Sequence, residues 1–119
     1  MKSDEALRLL DESLSRPSST PTLGGEDRDQ YLYRQREALR SCVIEPVLIK
    51  ATASTWAKEQ CGLPDVEFEM LALVHQERNW LLLNPDTKEF FLAYGNHPDN
   101  DRIELLGFSS DDALAEWLG

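Results

Sequence analysis

The sequence predicts a single α+β domain in which an antiparallel sheet of four to five strands forms a meander with helices packed on one face. Two helix-period segments open the chain, short apolar or alternating runs separated by polar turns follow, and an amphipathic segment closes it. The chain has 119 residues, the length of one domain, so the prediction is one domain over residues 1–119. With 41% hydrophobic and 29% charged residues, its composition is typical of globular proteins.

The first half of the chain predicts two helices. The first runs from residue 3 to residue 15, with Ser3 as its N-cap and an apolar stripe along one side. The stripe consists of Ala6, Leu7, Leu10 and Leu14. Residues 16–25 are rich in Ser, Thr, Pro and Gly, which predicts a mobile loop and a loosely tethered first helix. The second helix is predicted over residues 26–42, since acidic residues at its start and arginines near its end suit the helix macrodipole.

A strand and a short helix are predicted next. Residues 43–51 are apolar and β-branched, and Pro46 indicates an edge strand because proline cannot donate to a neighbouring strand. The helix spans residues 54–61, with Ser54 or Thr55 as N-cap and Gly62 at the C′ position.

The second half predicts four strands and a closing helix. The strands are residues 66–75, 80–83, 89–94 and 102–106, separated by polar turns and by a long polar loop at 95–101. The closing helix is predicted over residues 110–118, with Ser109 as N-cap and Phe108 packing just before it as a hydrophobic staple. Its inner face would carry Ala113, Leu114 and Trp117.

The chain is strongly acidic, with 22 Asp and Glu against 12 Lys and Arg, a net charge of −10 and a pI near 4.5. This balance argues against binding to nucleic acid or to an anionic membrane, both of which need clustered cations. It favours association with a basic protein partner, because opposite charges steer the encounter. The alternative is that the acidity serves solubility alone.

The first residues are charged and lack the apolar run of a signal peptide, and no stretch approaches the length of a membrane span. The expected compartment is therefore the cytoplasm, where Cys42 and Cys61 would be reduced thiols.

No sequence pattern indicates catalysis, a metal site or a cofactor. The chain contains no G-x-S-x-G, Walker A, G-x-G-x-x-G, H-E-x-x-H or paired Cys/His motif. His97 stands near Asp99 and Asp101, which are metal-ligand types, but a polar turn accounts for all three. We therefore expect a protein that is not an enzyme and that works by binding.

Acidic residues in the second half are the candidate partner-binding residues. They are Glu67, Glu69, Asp99, Asp101, Glu104, Asp111 and Asp112. Helix capping is the alternative role for Asp111 and Asp112, and a solvated strand face is the alternative for Glu67 and Glu69.

Three segments resemble small bacterial toxin-immunity proteins. They are WLLLNPDTK at 80–88, FFLAYG at 90–95 and LGFSSDDALAEWLG at 106–119, about a third of the chain. The run of strands and closing helix is similar to the end of SUKH-type immunity domains, although the first half has no counterpart of that family's early Leu-Pro and Asn-Gly segment. The resemblance implies an immunity protein that neutralises a cognate secreted toxin or secretion-system effector by occluding its active site. The acidic surface would then face a basic toxin domain.

Two other functions fit the same composition. An acidic secretion chaperone or adaptor would be small, acidic and α+β, and would show a dimer with an exposed hydrophobic groove. A small enzyme would need convergent polar residues with shifted pKa values in a pocket.

Overall fold

The computed structural model describes residues 1–21, 27–96 and 103–119 and confirms the α+β class. The elements in chain order are α1 (Ser3–Ser15), α2 (Arg28–Arg40), β1 (Val43–Ala53), α3 (Thr55–Gln60), β2 (Glu67–Gln76), β3 (Asn79–Leu83), β4 (Phe90–Tyr94), β5 (Ile103–Ser110) and α4 (Ala113–Leu118).

The five strands form the predicted antiparallel meander, and the meander closes on itself as a barrel. Each strand pairs antiparallel with the next, so the first and the fifth run in the same direction. Closure is accordingly a short parallel ladder in which Ala51, Thr52 and Ala53 of β1 pair with Ile103, Glu104 and Leu105 of β5. The sequence predicts the strand order, and the closing pair is the feature it does not predict.

Pro46 lies where the pairing of β1 with β2 is irregular, and only the far end of β1 gains a second neighbour. Between Val43 and Val47 the strand advances four residues while its partner β2 advances two, from Val74 to Ala72. Pro46 lies in this bulge, where an absent N–H breaks no regular ladder. From Ala51 to Ala53 β1 has a strand on each side, which makes the edge-strand prediction wrong for this last part of the strand.

The barrel wall is apolar on both faces along the second half of β2 and along β3, where it separates two cores. The interior is filled by Ile49, Ala51, Met70, Ala72, Trp80, Leu82, Phe91, Ala93, Ile103 and Leu105. The outer core packs Leu71, Leu73, Leu81, Leu83 and Phe90 against Ala6, Leu10, Leu14, Leu32, Leu39 and Leu114 of the helices. This double burial accounts for the near-continuous apolar runs of β2 and β3.

A buried hydroxyl joins the first helix to the last. Ser13 Oγ donates to the carbonyl of Asp111 at 2.6 Å and accepts from the N–H of Ala113 at 2.9 Å. Ser13 is buried, so α1 is fixed to the α4 N-terminus and is not loosely tethered.

The loop after α1 is also anchored at the same place. The Asp112 carboxylate accepts from the Ser18 hydroxyl at 2.9 Å and from the Ser19 N–H at 2.7 Å. Ser18 and Thr20 are buried. Of the loop predicted at 16–25, residues 16–21 therefore pack on the domain, and residues 22–25 lie outside the described part of the chain.

Helix ends follow local capping, and three predictions change. The α1 N-cap is Lys2 rather than Ser3, without a side-chain cap. The second helix begins at Arg28, capped by Asp27. The closing helix begins at Ala113, because β5 continues to Ser110 and Asp112 provides the cap in place of Ser109. The Ser54 cap of α3 and a Gly62 with φ +70° after it are confirmed.

We predict that Ser13→Ala lowers the free energy of unfolding by about 1–3 kcal/mol, because it leaves the N–H of Ala113 buried without its acceptor, while the Asp111 carbonyl keeps the bond from Arg16. Ser15→Ala is the matched control, since Ser15 Oγ bonds only Asp11 O within its own helix at an exposed site. Urea unfolding of both variants would measure the difference. Equal stability of the two variants would contradict a stabilising role for the Ser13 contacts between α1 and α4.

Candidate functional site

An exposed apolar surface lies where α3, β4 and β5 meet, and we call Trp56, Leu92, Leu106 and Phe108 the aromatic patch. Phe108 is 67% exposed and Trp56 is 49% exposed, although both are large apolar side chains. Together with Glu116 and Gly119 they line a cleft of about 220 Å³. Contiguous apolar surface of this kind is typical of interaction sites, whereas scattered exposed apolar residues are ordinary.

The alternation of β5 presents half of this patch. Ile103 and Leu105 point inward, and Gly107 is also buried, whereas Glu104, Leu106 and Phe108 are exposed on the outer face. Leu92 comes from the neighbouring strand β4. Barrel closure presents Trp56, since β1 ends beside β5 and the Ser54 N–H donates to Leu105 O at 3.0 Å. The first turn of α3 therefore starts over β5 and carries Trp56 onto it.

Gly107 allows the indole ring to lie on the strand backbone. A Cβ at this position would stand 2.9 Å from Cys61 Sγ and 3.0 Å from Trp56 Cζ3. Its φ of +133° is also one that side-chain-bearing residues rarely adopt. With the ring so placed, the centroids of Trp56 and Phe108 are 5.5 Å apart at 60°, a tilted aromatic pair.

Glu116 contributes the charged group of the cleft. Its Oε2 accepts from Ser110 Oγ at 2.7 Å, and within the described chain no cation pairs with it. Burial raises the pKa of the Glu116 carboxyl, the hydrogen bond from Ser110 opposes this, and the charges of Asp112 and Glu89 raise it further. The carboxylate is thus held in an environment that disfavours its charge.

Three of the predicted partner-binding residues share one outer face of the barrel, and we call Glu67, Glu69 and Glu104 the acidic strip. Thr52 of β1 lies between Glu67 on one side and Glu104 on the other, while Lys50 lies opposite Glu69. All three glutamates are exposed. Glu104 also stands two and four residues before Leu106 and Phe108, so β5 joins the strip to the aromatic patch.

The other predicted residues lie elsewhere. Asp111 is exposed and close to Arg16, with 3.7 Å between Oδ2 and Nη2. Asp112 caps α4 by accepting from the N–H of Ala115, which confirms the structural alternative considered for it. Asp99 and Asp101, with His97, lie outside the described residues.

The environment of Asp112 matches this internal role. Burial raises its pKa, and hydrogen bonds from the backbone N–H groups of Ser19 and Ala115 lower it. The Ser18 and Ser19 hydroxyls add to the lowering, so the pKa lies below its usual value. A carboxylate already satisfied in this way has little left to offer a partner.

The remaining candidate sites are weaker. In the described ranges no group of three or more His, Cys, Asp or Glu is placed to hold a metal, and Cys42 and Cys61 are both free thiols. His75 stacks on Trp80, with ring centroids 3.7 Å apart. None of the described helices is long and apolar enough to cross a membrane.

A larger cleft of about 670 Å³ lies between α1 and the β4–β5 end of the barrel. Its lining mixes the cations Arg16 and Lys88 with the anions Glu12, Glu89 and Asp111. Arg16 is already engaged by Asp111. The mixed signs give this cleft no clear preference for a charged ligand.

No protein-family model, no curated protein and no solved structure matches the chain. The resemblance to immunity proteins therefore stays a prediction from the sequence.

We predict that Gly107→Ala costs about 2–3 kcal/mol of unfolding free energy, because the added Cβ meets Cys61 and Trp56 in a strained backbone conformation. Gly62→Ala is the control, since Gly62 has φ +70° but no atom within 4 Å of an added Cβ, and we expect about 1 kcal/mol there. The NMR signal of the Trp56 indole N–H should move only in Gly107→Ala. A comparable loss in both variants would mean that the indole contact is unimportant.

We predict that Glu116→Gln leaves the melting temperature at pH 7 unchanged or higher, because the neutral amide can still accept from Ser110. A carboxyl with a raised pKa in the folded state destabilises that state when ionised, and this cost disappears as the pH falls below the unfolded value near 4.5. The difference between wild type and variant should therefore shrink at low pH. Glu45→Gln removes one charge from an exposed β1 residue outside the cleft and controls for net charge. A clear loss of stability in Glu116→Gln at pH 7 would refute this account.

Proposed function

We propose that this domain is an immunity-type inhibitor that binds a folded, basic-rimmed toxin domain and covers its active site. The observation that carries the proposal is the aromatic patch on the same strand face as Glu104. The sequence resemblance and the net charge of −10 support the same function. In that role the protein would work in the cytoplasm of the cell that it protects.

The two parts of the surface suit different tasks in binding. Aromatic side chains in a desolvated centre supply most of the affinity of protein interfaces, so Phe108 and Trp56 are the proposed anchors. Rim charges act mainly on the association rate and on partner choice, which is the proposed role of the acidic strip. A toxin that acts on nucleic acid or nucleotides presents a basic cleft, and an acidic strip complements it.

The size of the cleft favours a folded partner over an unfolded segment. About 220 Å³ is below the ~300–1,000 Å³ of sites that enclose a drug-sized ligand. A chaperone that holds an extended chain needs a groove for several successive side chains. The aromatic patch fits one or a few anchors from a preformed surface.

The test is binding to the product of the neighbouring gene, which the proposal expects to be a basic toxin domain. We predict that Phe108→Ala and Trp56→Ala each weaken the complex by about tenfold to a hundredfold, chiefly through faster dissociation measured by surface plasmon resonance. Tyr33→Ala is the matched control, because Tyr33 is 64% exposed on α2, away from the patch. Full affinity in both patch variants, or no binding to the neighbouring toxin domain by the wild type, would overturn the proposal.

The acidic strip predicts a separate kinetic effect. Changing Glu67, Glu69 and Glu104 together to Gln should slow association by about tenfold at low salt and leave dissociation nearly unchanged. Raising the salt concentration should bring wild type and variant together, because salt screens exposed charges. An association rate that changes neither with the triple substitution nor with salt would show that the acidic strip takes no part in recognition.

A further inference from the structure

The cleft beside the aromatic patch combines apolar walls with the carboxylate of Glu116. Trp56, Leu92, Leu106 and Phe108 form the walls, and Glu116 stands among them. Only Oε2 of Glu116 has a hydrogen-bond donor, the Ser110 hydroxyl, in the described structure. An occupant therefore needs an apolar body and a donor group at its end.

The sign of the local charge selects a cation. Asp112 and Glu89 carry the same sign of charge as Glu116, and no Lys or Arg is among the described residues that line the cleft. A cation placed at Glu116 would be attracted by these carboxylates. Phe108 and Trp56 add aromatic surface close to the same place, and aromatic faces attract cations.

We propose that this cleft receives an arginine side chain of the partner, with the guanidinium on Glu116 and the aliphatic stem against Leu106 and the ring of Phe108. This inference rests on the proposed function and names the chemistry of the partner's anchor. Arginine suits the cleft better than lysine, because a guanidinium is planar, more weakly hydrated and able to stack on aromatic rings while donating to a carboxylate. The compact lysine ammonium would lose more hydration between these apolar walls.

The experiment titrates the ¹⁵N-labelled protein with N-acetyl-arginine amide and follows the NMR spectrum. We expect saturable shifts at the Trp56 indole N–H and at the backbone amides of residues 106–108 and 116. The matching citrulline derivative, neutral and of nearly the same shape, should cause no saturable shift. The lysine derivative should bind on the order of tenfold more weakly.

Single substitutions identify the side chains that bind the arginine probe. Glu116→Gln should weaken the arginine probe about tenfold, the loss expected for one charge-assisted contact, whereas Glu45→Gln should leave it unchanged. Phe108→Ala should also weaken it, and Tyr33→Ala should not. A citrulline response equal to that of arginine, shifts outside the cleft, or no saturable shift would each overturn the arginine assignment.

Partner binding separates failure of this inference from failure of the proposed function. If Phe108→Ala weakens the toxin complex and Glu116→Gln does not, the patch is an interface but the arginine anchor is wrong. If neither variant affects the toxin complex, both are wrong. If both the proposed function and the arginine anchor are correct, changing one interface arginine of the toxin to lysine should reproduce most of the affinity loss seen in Glu116→Gln.

Discussion

The parallel pairing of β1 with β5 is the constraint on which the candidate site depends. Through Ala51–Ala53 it closes the barrel and ends β1 directly beside β5. The chain must then leave the sheet at Ser54, whose N–H is still bonded to Leu105 O, and α3 starts above β5. Trp56 consequently lies on Gly107, the buried position of β5 without a side chain. An open sheet of the same strands would leave this tryptophan with no strand to pack on.

Closure also decides how the acidic residues are used. Rolling the meander into a barrel brings β2 and β5 to either side of β1, so Glu67 and Glu104 become neighbours across Thr52 although 37 residues separate them along the chain. Asp112 has the opposite fate, because it is bonded at once to its own helix and to the loop after α1. Acidic residues that look equivalent in the sequence thus have two roles. Those of the acidic strip are solvated, whereas Asp112 holds the fold together. Total charge alone cannot separate these two roles.

Local signals predict most elements of this fold, and non-local contacts account for what they miss. The bounds of α1, the cap of α3 and the order of the strands follow from periodicity and turn residues close in the chain. The end of β5 does not follow from local signals, because both Ser109 and Asp112 could cap the closing helix. Ser109 and Ser110 pair with β4, so Asp112 becomes the cap. The sequence therefore predicts that Phe108 packs just before a helix, whereas Phe108 lies exposed on β5. Gly107 within an apolar alternation was the available signal, since glycine inside a strand marks a close approach of another group.

Two departures from ordinary folding preference occur side by side at this site. Phe108 leaves most of its apolar surface in water, and Glu116 keeps a carboxylate in a cleft where burial and neighbouring carboxylates disfavour its charge. Neither arrangement is needed for the barrel, whose interior and outer cores are complete without these side chains. Residues that depart from such preferences without stabilising the fold are concentrated at functional sites. A single partner side chain with an apolar stem and a cationic end would relieve both departures together, which is why the cleft and the patch are best understood as one binding site.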